Sequence, residues 1–221
     1  MHPHRGIETV TYMLEGTVNH RDSLGNAGTI SAGDVQWMTS GRGILHEEMP
    51  RRSEQSGNIY GFQLWVNLPA AQKMGPPRYQ EVNAATIPTA TKDGATVRVV
   101  AGEWNGVRGP VTEIAASPLY MDVRLTPASR FVLPTPRGHT VLAYVFEGSG
   151  DFAGEMVEAV HMVSFGDGDE VEVESEAGTR FMLIAGAPIK EPIVPYGPFV
   201  MNTAEEIQQT LMELRNGTFI K

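Results

Sequence analysis

The sequence predicts an all-β protein: two small sandwiches or barrels in tandem, followed by one α-helix. Three observations predict this class. Gly and Pro make up 39 of the 221 residues, against a background of about 12%, and they separate short β-prone runs. The run Tyr12–Gly16 recurs at Tyr144–Gly148, an offset of 132 residues. The one strong helix signal lies near the C-terminus.

The first half reads as a series of strands. From Glu8 to Leu14 polar and apolar residues alternate, which is typical of a half-buried strand. Val35–Met38 and Tyr60–Leu68 are rich in β-branched and aromatic residues and predict further strands. Pro69–Pro88 contains Gly75-Pro76-Pro77 and predicts a connector of low order at a domain boundary.

After this connector the β pattern restarts. The predicted strands are Thr96–Val100, Leu119–Leu125, Thr140–Phe146, Glu170–Glu174 and Phe181–Ile184. Thus we expect an N-terminal domain of residues 1–80, a linker of residues 81–94, and a C-terminal domain of residues 95–221 that includes the terminal helix.

The terminal helix has a start signal, a face and a stop signal. Thr203 followed by Glu206 is a capping-box pattern. Ile207, Leu211 and Leu214 then recur at helical spacing, and Gly217 is the expected stop. About three turns of amphipathic helix are predicted.

Composition excludes several classes of function. The chain has no Cys, which rules out disulfides, iron–sulfur clusters and thiolate zinc sites, so any metal must be held by nitrogen and oxygen. The net charge of −9 argues against direct nucleic-acid binding, which depends on clustered Lys and Arg. No apolar run reaches the roughly 20 residues of a membrane span, and no secretory signal is visible, so we expect a cytoplasmic protein.

Two ligand pairs predict a metal site. His2 and His4 are spaced i, i+2, which places both imidazoles on one face of a strand. His46 and Glu48 have the same spacing. Two such strands can converge on one ion, and three imidazoles with a carboxylate suit a first-row divalent metal and non-haem iron chemistry.

The stretch from His2 to Pro50 resembles the N-terminal domain of the pirins, which are two-cupin proteins. The resemblance continues through Tyr60–Leu68 and returns at Gly197–Thr203, so it covers nearly the whole chain. It implies two tandem cupin barrels, jelly-roll-like in topology. It also implies a metal, usually iron, held by His2, His4, His46 and Glu48.

Glu8 is the alternative carboxylate ligand. A general cupin carries its carboxylate seven residues before the position of Gly16, which here is Thr9. Glu8 misses that position by one residue and would face the other way. Counting alternation from His4 instead puts Glu8 on the histidine face, but Arg5-Gly6 is an expected bulge that breaks the count.

The second half is predicted to bind no metal. The repeat offsets, 132 and a second of 135 from Gly33-Asp34 to Gly168-Asp169, map the four ligands onto residues without metal-binding side chains. Those residues are Pro134, Pro136, Phe181 and Leu183. His139 and His161 fall in no ligand position and are expected to be structural, as is His20, which we place beside Asp22 in a turn.

The pirins carry a lead segment before the His-Pro-His, so the resemblance implies either that the true start lies upstream of Met1 or that this is a trimmed version. A ligand so close to a chain terminus is expected to be poorly tied down, and the first barrel is expected to expose an unpaired edge.

The resemblance implies quercetin 2,3-dioxygenase activity, in which a flavonol and O2 react and the central ring opens. Glu48 would then serve as both ligand and general base. Gln63 is a candidate for orienting the site. An apolar pocket for the flat substrate is expected from Val10, Tyr12, Met38, Phe62 and Trp65. The alternative that the family implies is an iron-binding, redox-sensitive co-regulator acting through a protein partner; a purely structural metal is a third reading.

Overall fold

The computed structural model describes all 221 residues. The chain forms two compact units. Unit 1 comprises Met1–Ala84 and Ile189–Lys221, and unit 2 comprises Ala85–Pro188. The strands of unit 1 are β1 (His2–His4), β2 (Ile7–Glu15), β3 (Thr17–Asp22), β4 (Ala27–Ile30), β5 (Val35–Thr39), β6 (Ile44–Arg51), β7 (Tyr60–Asn67), β8 (Arg78–Val82), β20 (Val194–Tyr196) and β21 (Phe199–Met201). Its helices are α1 (Ala70–Lys73) and α2 (Ala204–Asn216).

Unit 2 contains the remaining strands. These are β9 (Thr89–Lys92), β10 (Ala95–Ala101), β11 (Glu103–Trp104), β12 (Val107–Arg108), β13 (Leu119–Leu125), β14 (Ser129–Pro134), β15 (Thr140–Phe152), β16 (Glu155–Glu158), β17 (His161–Ser164), β18 (Glu170–Ser175) and β19 (Thr179–Gly186). A 3-10 turn, Ala84–Thr86, lies at the boundary between the units. Neither α-helix has the length and apolar character needed to cross a membrane.

The predicted fold class is confirmed: both units are built from antiparallel strands and the single long helix is C-terminal. The two sheets of unit 1 have the orders β1-β6-β3-β4 and β7-β2-β5-β8. In unit 2 the strands β14-β18-β15-β19-β13-β10-β9 follow one another, and β16 and β17 also pair with β15. The core of unit 2 is apolar and aromatic, with Phe131 and Phe181 fully buried.

The internal repeat is present in the topology. The order β1-β6-β3-β4 corresponds to β14-β18-β15-β16, and β2 corresponds to the first half of β15. The second sequence anchor was wrong, because Gly33-Asp34 precedes β5 whereas Gly168-Asp169 precedes β18, the counterpart of β6.

Because this anchor was wrong, the residues of unit 2 that correspond to His46 and Glu48 differ from those predicted. Strand register equates His46 and Glu48 with Val171 and Val173, and not with Phe181 and Leu183. Both valines are buried in the core of unit 2.

The region expected to be a connector is more ordered than predicted. Arg78–Val82 is a strand that pairs with β5. Residues 81–94, expected as a linker, include β9, which forms a hairpin with β10. Asp93 and Gly94 both have positive φ, at 50° and 80°, as a tight two-residue hairpin turn requires.

The terminal helix has the predicted start and stop. Thr203 accepts a hydrogen bond from the Glu206 backbone N–H, the Glu206 side chain accepts from the Thr203 backbone N–H, and Gly217 is left-handed. However, the helix groups with unit 1 and not with the second barrel, which corrects the expected C-terminal domain of residues 95–221. The reason is a core formed by Phe199, Met201, Ile207 and Phe219, against which Leu45 of β6 packs.

Candidate metal centre

Three histidines meet where β1 pairs with β6. The strands are antiparallel, with His2 opposite His46 and His4 opposite Ile44. The ring centroids of the three imidazoles are 4.3 to 5.0 Å apart. Ligand atoms of all three lie within 4.8 Å of one another, and Nε2 of His2 lies 3.0 Å from Nε2 of His4. The i, i+2 spacing places His2 and His4 together and the pairing of β1 with β6 adds His46, so the three rings meet as predicted.

Burial keeps the imidazoles of His4 and His46 in the neutral form. His4 and His46 are only 2% and 1% exposed. Burial, followed by repulsion from His46 and His2, lowers the pKa of His4 to about 4. Burial and repulsion from His2 and His20 lower the pKa of His46 to about 4 as well. Both imidazoles are consequently neutral at pH 7, the form that binds a metal.

His46 also lacks partners of its own. Neither Nδ1 nor Nε2 of this buried ring has a hydrogen-bond partner. Buried polar atoms are almost always satisfied in folded proteins, so an unsatisfied buried imidazole beside two others calls for a missing partner. A divalent metal ion supplies such a partner, and the residues present fit one.

Glu48 lies near the three imidazoles but is not one of the clustered ligands. Its carboxylate accepts hydrogen bonds from Gln63 Nε2 at 2.9 and 3.0 Å and from Thr11 Oγ1 at 3.3 Å. The structure thus brings together three of the four predicted ligands. The fourth, Glu48 of β6, is hydrogen-bonded to Gln63 of β7 and Thr11 of β2.

Glu8 faces away from the centre. Cross-strand partners share a face, and the Trp65 ring lies 5.3 Å from the His4 ring, so Thr9, which is opposite Trp65, faces the imidazoles. Glu8 is the next residue along β2 and therefore faces the other way. There it is buried and accepts a hydrogen bond of 2.6 Å from Thr39 Oγ1.

The same register divides the expected pocket residues. Met38 and Trp65 both lie opposite Thr9 and face the centre. The other three, Val10, Tyr12 and Phe62, occupy the alternate face, so the prediction was wrong for them. Trp65 is 46% exposed, which leaves an aromatic surface open beside His4.

The prediction that His20 lies in a turn was wrong. His20 lies on β3, directly opposite Glu48, and is buried. Its Nε2 is 3.0 Å from Gln36 Nε2 and 3.1 Å from Glu81 Oε1, and its ring stacks on Tyr79. This polar cluster was not predicted, because the turn-forming residues Asp22–Asn26 favoured a turn around His20. The segment is instead strand β3, in which His20 and Asp22 are buried and alternate with more exposed residues.

The remaining histidines lie outside the centre. His161 is exposed, with its Nδ1 2.9 Å from the Glu158 carbonyl oxygen, and neither His139 nor His161 belongs to a cluster of potential ligands.

The depressed pKa values predict an acid-sensitive metal-free protein. Between pH 6.5 and about 4 the unfolded chain protonates His4 and His46, whereas the folded protein does not. The unfolded state then binds more protons, so the free energy of unfolding falls as the pH falls through this window. The loss per imidazole is on the order of 3 kcal/mol.

Urea unfolding of metal-free protein at pH 7 and at pH 4.5 measures this loss. The His46→Gln variant should show a smaller difference between the two pH values. Equal pH dependence in the variant and the wild type would mean that His46 does not contribute to it.

Comparisons with known proteins find similar chains over nearly the whole length. Residues 1–66 match the family model described as pirin, and residues 120–220 match the pirin C-terminal cupin domain. The human protein named pirin is 45% identical over 222 residues, covering 97% of this chain and 75% of its own length. A pirin-like protein of Caulobacter vibrioides is 44% identical over 220 residues, covering 99% and 79%. The crystal structure of quercetin 2,3-dioxygenase from Acinetobacter baumannii matches with a TM-score of 0.90 and 40% identity, covering 99% of this chain and 77% of that one.

Proposed function

The chain belongs to the pirin family of two-cupin proteins, and on this premise we propose that it is a metal-dependent dioxygenase that opens the central ring of a flavonol such as quercetin. The observation that carries the proposal is the group of three close imidazoles, of which His46 is buried, neutral and unpartnered. The solved quercetin 2,3-dioxygenase at 40% identity supports the choice of substrate class.

His2, His4 and His46 are the residues that would hold the metal, with Glu48 as a fourth ligand. We propose iron in the cell, although the same nitrogen and oxygen donors suit other divalent first-row metals. When bound, the ion supplies Lewis acidity toward a substrate hydroxyl and one-electron chemistry toward O2.

Glu48 is the proposed general base. Its carboxylate lies on the face that carries the imidazoles, where an oxygen atom can take the proton of a flavonol 3-hydroxyl. Gln63 donates to both carboxylate oxygens and thereby fixes their position. In this proposal Glu48 is both a metal ligand and the general base.

Trp65 is the proposed contact for the flat rings of the substrate. Its indole is edge-on to His4, with an interplanar angle of 88°, and is half exposed. An aromatic substrate stacked there would cover the open side of the centre and exclude water from it.

Turnover of quercetin by protein reconstituted with Fe²⁺ tests the proposal. We expect loss of quercetin absorbance with stoichiometric O2 uptake and release of carbon monoxide. At saturating Fe²⁺ the three imidazoles should still load Glu48→Gln with metal, but it should react about a hundredfold more slowly, because the base is lost.

The matched control is His161→Ala, which removes an exposed histidine of unit 2 and should leave turnover unchanged. Stoichiometric metal binding without O2 uptake on any flavonol would overturn the dioxygenase proposal and favour the family's alternative, a metal-dependent regulator that acts through a protein partner.

A further inference from the structure

The ligand strand β1 has little support from its own sheet. It is three residues long and lies at the sheet edge, with β6 as its sheet neighbour. The chain immediately after His4 is held instead by the C-terminal segment, Ile189–Lys221. Arg5 forms a parallel bridge with Phe199, the Arg5 N–H donates to the Pro198 carbonyl at 3.4 Å, and the Val200 N–H donates to the Arg5 carbonyl at 3.1 Å.

The Arg5 side chain fixes this connection to α2. It is 1% exposed and directly follows the buried ligand His4. Its Nη2 donates to Glu213 Oε2 at 2.6 Å and its Nη1 donates to Thr210 Oγ1 at 3.0 Å. Its Nε donates to the Arg42 carbonyl at 2.6 Å, on the approach to β6. One buried guanidinium therefore links the helix to both ligand-bearing strands.

Two glycines let the C-terminal segment approach the ligand strands closely. A Cβ at Gly6, two residues after His4, would lie 2.2 Å from the Val200 carbonyl oxygen. A Cβ at Gly43, three residues before His46, would lie 2.8 Å from Phe219 Cζ. Lys73 Nζ closes the same junction by donating to the Gly6 and Val200 carbonyls, both at 2.8 Å.

We propose that the C-terminal segment sets the geometry and affinity of the metal centre, with Arg5 and Glu213 as positioning residues. Metal binding and docking of α2 are then coupled, and each strengthens the other. This inference rests on the proposed metal site but not on the identity of the substrate.

Metal affinity of a helix variant tests the coupling. Isothermal titration calorimetry of the full chain, with Ni²⁺ as the probe metal, should show binding about tenfold weaker for Glu213→Gln than for the wild type. Phe131→Leu in the core of unit 2 is the control, since it lowers Tm but should leave Ni²⁺ affinity unchanged. Thr210→Val removes the hydrogen bond from Arg5 and the one that Thr210 donates to the Glu206 carbonyl, but keeps the ion pair. It should give a smaller loss of affinity and serves if Glu213→Gln does not fold.

Hydrogen exchange provides a readout without any variant. Saturation with Ni²⁺ should slow exchange of the α2 amides between Ile207 and Asn216 in the wild type. The coupling would be overturned by equal Ni²⁺ affinity of the wild type and Glu213→Gln. It would also be overturned if the hydrogen-exchange rates of the α2 amides were the same with and without Ni²⁺. Failure of the wild type to bind Ni²⁺ would instead overturn the metal site itself.

Discussion

Replacing His46 by alanine is expected to abolish tight metal binding and, with it, any oxidation of quercetin. The ring is one of three nitrogen donors within 4.8 Å of one another and its nitrogens have no other partner. Two imidazoles and a carboxylate held by Gln63 would remain. Since changes to residues that merely support ligands cost about 10- to 100-fold in metal affinity, loss of a ligand should cost at least about a hundredfold.

Metal titration of the two proteins, with circular dichroism to verify the fold, measures this effect. The His46→Ala fold should persist, because the imidazole makes no hydrogen bond whose loss would leave a buried group unpaired. Retention of wild-type metal affinity by His46→Ala would remove His46 from the site.

The second large effect is expected from Gly6→Ala, which should destabilise the metal-free protein by about 3 kcal/mol or more. Gly6 has φ +80°, a conformation that costs any other residue energy. An added Cβ would also lie 2.2 Å from the Val200 carbonyl oxygen and 2.9 Å from Met201 Sδ. The C-terminal segment would have to move away from the ligand strand.

Gly25→Ala is the matched control, because Gly25 has a similar φ of +87° and no atom within 4 Å of its Cβ position. It should show only the cost of the backbone conformation, about 1 kcal/mol. Urea unfolding compares the two variants. Equal losses would show that close packing of the C-terminal segment on Gly6 does not matter for stability.

Local signals in the sequence predicted much of the fold. Alternation, Gly–Asp turns and the capping box at Thr203 depend only on neighbours in the chain, and the corresponding strands and helix are present. The common face of His2 and His4 follows from their i, i+2 spacing, which is a local property. The convergence of His46 on them is long-range, and it was expected from a second pair of the same spacing and from the resemblance to the pirins.

Properties that depend on long-range contacts were not predicted. The pairing of Arg5 with Glu213 joins residues 208 positions apart, and no local pattern in either segment indicates it. Docking of α2 on unit 1 follows from that pair and from Phe219. By contrast, the β9–β10 hairpin had a local signal in Asp93-Gly94 that could have identified it.

X-ray absorption spectroscopy of the Zn²⁺-substituted protein tests most directly whether His2, His4 and His46 bind one metal ion. Our account predicts a first coordination shell in which three imidazole nitrogens lie at about 2.0 to 2.1 Å from the ion. A shell made mainly of water or carboxylate oxygen, with one imidazole or none, would contradict it.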